Sequence, residues 1–432
     1  MGNPAVTLQT IPDLFARLGS VESLTDAARA GLSPSPRPKV NAHIHLPPNF
    51  SAFESVHDAV QRAHKEQVRV LCASNYYDYT VYADFASQTS AAGIFPLFGT
   101  EIIARIESLA DDNVKINDPG NPGKIYVCGK GITRFAAPSP EATRILDVIR
   151  SNDAGRMADM IVKLADICAK RGVPLSVDEP SVRRLVSERH HCPADVVYLQ
   201  ERHIAMAFQE ALFKQYAPSQ RPEALRALLG DDVSVDADDR VAVQNTIRSA
   251  LMKAGKPAFV PERFVGFEDA HRLILALGGI PCYPTLADGT SPICPFEDPP
   301  ERLVANLHNR DVFCAEFVPN RNTPEVLEQY VTSMREAGIV CTAGTEHNTL
   351  SAIPIEPSCI DGQPIPPAVK DIFWEGACVV AAHQVLSFGG QPGYVTPDGA
   401  LNPYYRDGED RIRAFAGIGA AAVARFLAER CG

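Results

Sequence analysis

Clustered positive charge is missing from this sequence, and so are long apolar runs. There is no run of lysine or arginine, and 52 acidic residues against 41 basic ones give a net charge of −11. Nucleic acid is therefore disfavoured as an obligatory partner, because a phosphate backbone is bound by clustered positive charge. No stretch of about eighteen uninterrupted apolar residues is present, so we expect no membrane association.

Paired cysteines are also missing. The 11 cysteines never occur in the spacing C-x-x-C and are scattered through apolar segments. This pattern is typical of buried, reduced thiols and argues against a disulfide framework or a zinc knuckle. The start, MGNPAVTLQT, has no basic region followed by an apolar stretch, so we expect an unexported, cytoplasmic protein. A homo-oligomer is compatible with all of these properties.

What the chain does contain is an alternation of apolar strands and helical segments. Predicted strands lie at 39–44, 68–74, 94–102, 124–132, 280–285 and 311–319, and a last one begins at 338. Helical patterns separate most of them. Such alternation is typical of a parallel α/β barrel or a doubly wound sheet.

Changes in composition divide the chain into five predicted parts. Residues 1–37 form an N-terminal helical extension and a proline-rich connector, and residues 38–180 form the first part of an α/β domain. Residues 181–262 are charged and helical without a convincing strand, which predicts a helical insertion. The α/β pattern returns over 263–350, and a C-terminal helical extension covers 351–432.

Possible metal ligands follow several of the predicted strands. His43 and His45 stand in VNAHIHLPP, where alternate strand positions direct both imidazoles to one side. Glu101 ends the third strand, and Glu346 with His347 follows the last one. Each has a simpler interpretation: a hydrogen-bonded core histidine, a helix cap or a solvated loop residue. Because the carboxyl ends of parallel strands meet at one edge, their joint occurrence favours a metal site.

The motifs resemble those of PHP-domain (polymerase and histidinol phosphatase-like) metal-dependent hydrolases. NAHIHLPP is similar to the family's opening Asp-x-His-x-His, FGTEI to its Gly-x-Glu, and CTAGTEHN to its final Gly-Ser-Asp-x-His. Three further segments, ERHIAMAFQEALF, KPAFVPERF and LILALGGIPCYPT, resemble the branch of nucleoside monophosphate phosphatases and small-RNA 5′-3′ exonucleases. Over residues 38–350 the resemblance implies a distorted (β/α)7 PHP-like barrel with a helical insertion.

Carried over residue by residue, the resemblance implies a reduced metal shell. His43, His45 and Glu101 match the family's ligands, Glu346 replaces an aspartate, and His347 is one place out of register. We therefore predict a divalent metal (Zn, Mn or Fe) as one or two ions, bound by these five residues.

Tyrosines stand at three positions where the family has histidine. They are Tyr76, Tyr126 and Tyr283, and the last two, together with Arg202, are the predicted catalytic residues facing the substrate. Lys130 and Arg134 join Arg202 as candidates for anion recognition, since such cations match phosphate or carboxylate.

The leading hypothesis is a metal-dependent hydrolase acting on a small anionic substrate, either a phosphate ester or a carboxylated sugar derivative. One alternative keeps the metal and predicts a sugar-acid isomerase or lyase. Another predicts a catalytically decayed PHP-like binding protein, whose pocket the tyrosines fill.

Overall fold

The computed structural model describes residues 6–230, 233–350 and 353–431. Residues 1–5 and 351–352, which begin the two predicted extensions, lie outside the described part, as do 231–232 in the predicted insertion and 432. The chain forms two compact units. One comprises 1–46, 53–146 and 265–432, and the other comprises 47–52 and 147–264.

The first unit is built on one sheet. Its strands are β1 Lys39–Ile44, β2 Val68–Ala73, β3 Phe95–Arg105, β4 Lys124–Lys130, β5 Val265–Gly266, β6 Ile280–Thr285, β7 Cys314–Phe317 and β8 Val340–Ala343. The order is β1-β2-β3-β4-β6-β7-β8, with the short β5 paired to β3. Segments such as β2 are apolar at nearly every position because both faces of the sheet are covered.

Hydrogen bonds between β1 and the chain that follows β8 bring the two ends of the sheet together. The amide of Thr345 donates to the carbonyl of His43 at 3.1 Å, and the amide of His45 donates to the carbonyl of Glu346 at 2.8 Å. The sheet is therefore a nearly closed barrel, and the predicted PHP-like barrel is confirmed.

The fourth strand departs from the all-parallel pattern. β4 runs antiparallel to β3 and to β6, with Gly99 opposite Lys130 and Arg105 opposite Lys124. A parallel partner needs a crossover of about a dozen residues, normally through a helix that packs on the sheet. Residues 106–123 between the two strands are long enough for a crossover, but their five-residue helix, Glu107–Asp111, has no buried residue and does not pack on the sheet as a crossover helix would. This reversal distorts the barrel and places Lys130 in its buried interior.

The helices surround this sheet or form the second unit. They are α1 Ile11–Ala16, α2 Val21–Arg29, α3 Val56–Lys65, α4 Tyr82–Ala91, α5 Glu107–Asp111, α6 Pro140–Lys170, α7 Glu179–His190, α8 Glu201–Gln215, α9 Arg221–Leu229, α10 Arg240–Ile247, α11 Phe267–Ala276, α12 Pro300–His308, α13 Pro324–Glu336, α14 Pro367–Phe388 and α15 Gly408–Cys431. No helix in the described ranges is long and apolar enough to cross a membrane.

The second unit is helical and has its own core. Most of α6, together with α7 to α10, surrounds buried side chains that include Leu164, Val182, Phe208 and Leu228. The structure begins this unit at 147, whereas composition placed the start of the insertion at 181. Residues 173–180 could be a further strand or an extended lead by sequence; in the structure 173–178 are irregular and α7 begins at Glu179.

The predicted terminal extensions belong to the first unit. α14 packs against β8, and α15 packs against both α14 and α2. Buried His383 on α14 has a fixed tautomer: Nε2 donates to the carbonyl of Gly278 at 3.0 Å, and Nδ1 accepts from the amide of Tyr394 at 2.9 Å. Burial lowers the pKa of His383 to about 4, so the ring is neutral at pH 7.

Candidate metal centre

The first strand directs two imidazoles to one point. His43 lies in β1 and His45 directly after it, and both side chains are buried. Because strand side chains alternate between faces, residues two apart share a face. Their Nε2 atoms lie 3.3 Å apart, which makes the H-x-H segment one half of a convergent group.

Glu101 completes this group from β3. Its Oε2 atom lies 3.2 Å from Nε2 of His43 and 3.2 Å from Nε2 of His45. Ligand atoms about 2.0–2.1 Å from a tetrahedral ion are about 3.3–3.4 Å from one another, so the three separations have the size that one ion requires. Oε2 is buried and accepts no hydrogen bond from the described residues. The donor set and its spacing therefore fit a divalent cation.

The ionisation state of Glu101 suits this role. Burial alone would favour the neutral acid, but the two imidazoles beside Glu101 hold its pKa well below the usual range. The carboxylate therefore stays charged at neutral pH and can act as an anionic ligand.

Tyr76 orients two members of the group. Its hydroxyl donates to Oε1 of Glu101 at 2.6 Å, which leaves Oε2 for the convergent point. Its ring stacks on the imidazole of His45, with centroids 4.9 Å apart and an interplanar angle of 11°. At this position, where the resemblance implied a lost histidine ligand, the tyrosine instead contacts two of the remaining candidate ligands.

The outer nitrogen of His43 faces a carboxylate that the sequence reasoning missed. Nδ1 of His43 lies 2.6 Å from Oε1 of Glu316, which is fully buried in β7. The other carboxylate oxygen accepts a short contact from Nζ of Lys130. A carboxylate at this nitrogen fixes the proton on Nδ1 and leaves Nε2 as the metal-binding atom. A carboxylate inside the apolar strand CAEF was the signal available in the sequence.

Lys130 corrects one sequence-based expectation. It was a candidate for anion recognition at the substrate, but its side chain is fully buried. Nζ contacts Glu316 and also donates to the carbonyl of Ala42 at 2.9 Å. The antiparallel course of β4 puts Lys130 there, and the sequence pattern did not reveal that reversal.

A second trio of possible ligands is formed by His43, Cys128 and Glu316. Here the separation of 2.6 Å between Nδ1 and Oε1 is a hydrogen-bond distance, shorter than the roughly 3.3 Å between two ligands of one tetrahedral ion. Burial also raises the pKa of the Cys128 thiol well above its usual range. This trio therefore supports His43 instead of binding an ion itself.

Gly344 allows the segment after β8 to approach β1. A Cβ atom at this position would lie 2.4 Å from Cβ of His43 and 2.9 Å from its backbone nitrogen. Only a residue without a side chain fits that space, so the glycine of CTAGTEHN allows the close approach to His43.

The structure does not bring Glu346 and His347 into the convergent group. Both have positive φ values, 58° and 51°. The carboxylate of Glu346 pairs with Arg321, with one N–O distance of 3.0 Å, and accepts from Asn348 at 2.8 Å. The role of Glu346 as a metal ligand stays a prediction.

His347 has partners for both ring nitrogens. Nδ1 lies 2.6 Å from the hydroxyl of Thr345, and Nε2 lies 3.2 Å from the carbonyl of Ile353. The ring stacks on Phe53 with centroids 4.7 Å apart. Burial lowers the pKa of His347 to about 4, and its side chain is held as part of the loop.

The three predicted catalytic residues lie in different surroundings. Tyr126 is half-buried and lines a cavity together with Glu101. Tyr283 is buried and donates from its hydroxyl to Glu297 at 2.7 Å. Arg202 belongs to the helical unit, where its guanidinium lies 5.8 Å from the ring centroid of Phe50. Only Tyr126 shares the cavity of Glu101.

That cavity has a volume of about 260 Å³. Glu346 borders this cavity together with Glu101. The polar lining consists of Tyr76, Glu101, Asn117, Asp118, Tyr126, Thr285, Arg321, Glu346 and Asn348. Arg321 was missed by sequence reasoning because it lies in an irregular turn after β7. Its side chain is 41% exposed, so the guanidinium is accessible while one side of it pairs with Glu346.

No protein-family model matches the chain, and no curated protein is significantly similar to it. Among solved structures, a candidate metal-dependent phosphoesterase from Bifidobacterium adolescentis superposes with a TM-score of 0.50 at 16% identity, over 79% of this chain and 96% of that one. An amidohydrolase from Chromobacterium violaceum, with bound sulfate and no metal, gives a TM-score of 0.49 at 15% identity, over 77% of this chain and 96% of that one. The first likeness establishes the fold alone.

Fold and site together define a class of protein. The chain forms a PHP-like α/β barrel that carries buried candidate metal ligands at β1 and β3.

Proposed function

We propose that this protein is a metal-dependent hydrolase that acts on a small anionic substrate. The observation that carries the proposal is the set of three ligand atoms, from His43, His45 and Glu101, at mutual distances of 3.2–3.3 Å. Three protein ligands with an open position beside a cavity are typical of catalytic metal centres, whereas structural sites are closed by four.

These three residues would hold one divalent ion. When bound, such an ion supplies Lewis acidity, which polarises a substrate oxygen or lowers the pKa of water. The protein contributes the orientation of the ligands: Tyr76 turns the carboxylate of Glu101, and Glu316 fixes the tautomer of His43.

The position of Arg321 favours an anionic substrate. Its guanidinium borders the same cavity as Glu101, and its planar fork matches a phosphate or a carboxylate. The cavity volume of about 260 Å³ suits a small molecule, such as a phosphate ester or a carboxylated sugar derivative. Tyr126 and Asn117 add hydrogen-bonding groups at the cavity wall and would orient the substrate.

The open cavity also favours an enzyme over a decayed binding protein. A filled pocket would require Tyr76, Tyr126 and Tyr283 to occupy the space beside the ligands. Tyr283 is instead directed to Glu297, and Tyr76 and Tyr126 border the cavity without closing it.

The first test is metal content. Protein purified without chelator is expected to contain close to one divalent ion per chain, and His43→Ala/His45→Ala is expected to contain none. The matched control is His57→Ala/His64→Ala, which removes two exposed histidines of α3 and should leave the metal content unchanged. Absence of bound metal from the wild type, and no uptake of added Zn²⁺ or Mn²⁺, would refute the proposal.

The second test is the reaction class. The metal-loaded protein is incubated with p-nitrophenyl phosphate and with lactones and esters of sugar acids in ¹⁸O-labelled water. Hydrolysis places one labelled oxygen in the product, whereas an isomerase or lyase product formed without addition of water carries no label. Turnover without label would exclude hydrolysis.

A further inference from the structure

A buried ion pair lies directly behind the candidate metal ligands. Glu316 and Lys130 are both fully buried, and Nζ of Lys130 contacts one carboxylate oxygen of Glu316. The other oxygen lies 2.6 Å from Nδ1 of His43. The pair thus forms a chain that runs from Lys130 through Glu316 to His43.

Stability does not explain this pair. Moving two charges out of water costs several kcal/mol for each ion, and well-packed apolar residues often replace a buried ion pair with no loss of stability. Elsewhere in the first unit, buried Glu297 interacts with a tyrosine hydroxyl and two backbone amides and has no cationic partner among the residues that the structure describes. A fully buried lysine paired to a carboxylate that touches a candidate ligand therefore points to a role at the ligand.

The charges have opposite effects on a cation held at His43. The carboxylate of Glu316 holds the ring by its outer nitrogen and makes Nε2 a stronger donor. The ammonium of Lys130 lowers the affinity for the cation, because its positive charge partly cancels the negative potential of the carboxylate and repels the cation. Lys130 also anchors the chain to the backbone through the carbonyl of Ala42, next to His43.

We propose that Glu316 is a positioning residue of the metal centre, and that Lys130 tunes the affinity of that centre by carrying the counter-charge. Glu316 orients His43 and strengthens its bond to the ion, and Lys130 weakens that effect. This inference rests on the proposed function, in that it requires a divalent ion at His43, His45 and Glu101.

The test compares two variants. In Glu316→Gln/Lys130→Met the pair is removed without leaving a buried charge, and an amide oxygen remains to accept from His43. We expect the affinity for Zn²⁺, measured by competition with a chromophoric chelator, to fall about 10–100-fold. Unfolding of the metal-free variant in denaturant should require as much denaturant as the wild type, or more.

Lys130→Met alone leaves the carboxylate without its counter-charge. The metal-free variant is expected to unfold at lower denaturant concentration, while its affinity for Zn²⁺ rises about tenfold because a like charge near the ion is gone. A purely structural pair would lower stability and affinity together. A fall in stability together with a rise in the affinity for Zn²⁺ would therefore show that Lys130 tunes the metal affinity.

Glu297→Gln serves as the matched control, because it makes the same substitution at a fully buried carboxylate that contacts none of the candidate ligands. It should lower stability and leave the affinity for Zn²⁺ unchanged. Co²⁺ provides a second readout, since the visible absorption band of the bound ion should shift in Glu316→Gln/Lys130→Met and stay in place in Glu297→Gln.

The outcomes separate the two proposals. If the wild type binds neither Zn²⁺ nor Co²⁺, the proposed function fails and this inference fails with it. If the wild type binds and the double variant binds with equal affinity and an unchanged Co²⁺ spectrum, the role of Glu316 is refuted while the metal centre stands. An affinity in Lys130→Met at or below that of the wild type would refute the tuning role of Lys130.

Discussion

The change Gly344→Ala tests the link between backbone packing and the metal centre. The added Cβ would lie 2.4 Å from Cβ of His43, whereas carbon atoms pack at about 3.5–4.0 Å. The two backbone segments must therefore separate by about 1 Å. Ligand atoms tolerate displacements of only about 0.2 Å, so the position of His43 is lost. We expect the affinity for Zn²⁺ to fall by at least about tenfold, with a stability cost of about 1–3 kcal/mol from overpacking.

The assay measures the affinity by competition with a chelator and the free energy of unfolding by chemical denaturation. Gly419→Ala is the matched control, because its Cβ would also meet backbone atoms, those of Cys378, where α15 packs on α14 and away from the candidate ligands. It should cost stability without lowering affinity. Equal affinities in Gly344→Ala and the wild type, or equal losses in both variants, would show that this close approach does not position His43.

Three further predictions concern protonation, ligand support and substrate recognition. His383 has a pKa near 4 in the folded state, so between pH 4 and 6.5 it binds fewer protons than in the unfolded chain. The free energy of unfolding that it contributes above pH 6.5 is therefore lost as the pH falls. The loss is about 2 kcal/mol at pH 5, and denaturation of His383→Gln should show a pH dependence weaker by that amount; an unchanged dependence contradicts the assignment. Tyr76→Phe should lower the affinity for Zn²⁺ about tenfold with little change in stability, because the hydrogen bond to Glu101 is lost and the ring remains. Unchanged affinity in the chelator assay would exclude this support. Arg321→Lys should raise KM for an anionic substrate about tenfold with a smaller effect on kcat, because it keeps the charge but loses the bidentate fork; a changed kcat with constant KM would contradict a binding role.

The sequence predicted three of the residues that the structure brings together. His43 and His45 stand two residues apart on a strand, and strand geometry alone directs them to one face. Glu101 was found because it follows an apolar run. The structure brings these three together, while the metal roles of Glu346 and His347 stay predictions. Both lie in a loop with positive φ values, and the direction of a side chain in such a turn does not follow from spacing along the chain.

The tyrosines show a second limit of sequence reasoning. Tyr76, Tyr126 and Tyr283 were grouped because each stands where the resembling family has histidine. The structure separates them: one supports a ligand, one borders the cavity, and one is directed to Glu297. A hydroxyl lies farther from the backbone than an imidazole nitrogen does, so the same backbone position delivers its polar atom to a different partner.

The sequence by itself determined the alternation of strands and helices and the first candidate ligands, because periodicity and the H-x-H spacing are local properties of the chain, while the barrel was what the resemblance implied. Only the tertiary structure decided which distant residues meet them. Glu316 is 273 residues from His43 along the chain, and Lys130 reaches it only because β4 runs antiparallel to β3. Contacts of this kind depend on the order and direction of the strands in the sheet. The pattern of apolar and polar residues along one strand does not specify either of them. The candidate ligands could therefore be found in the sequence, whereas the positions of the charges behind them were fixed only by the folded barrel.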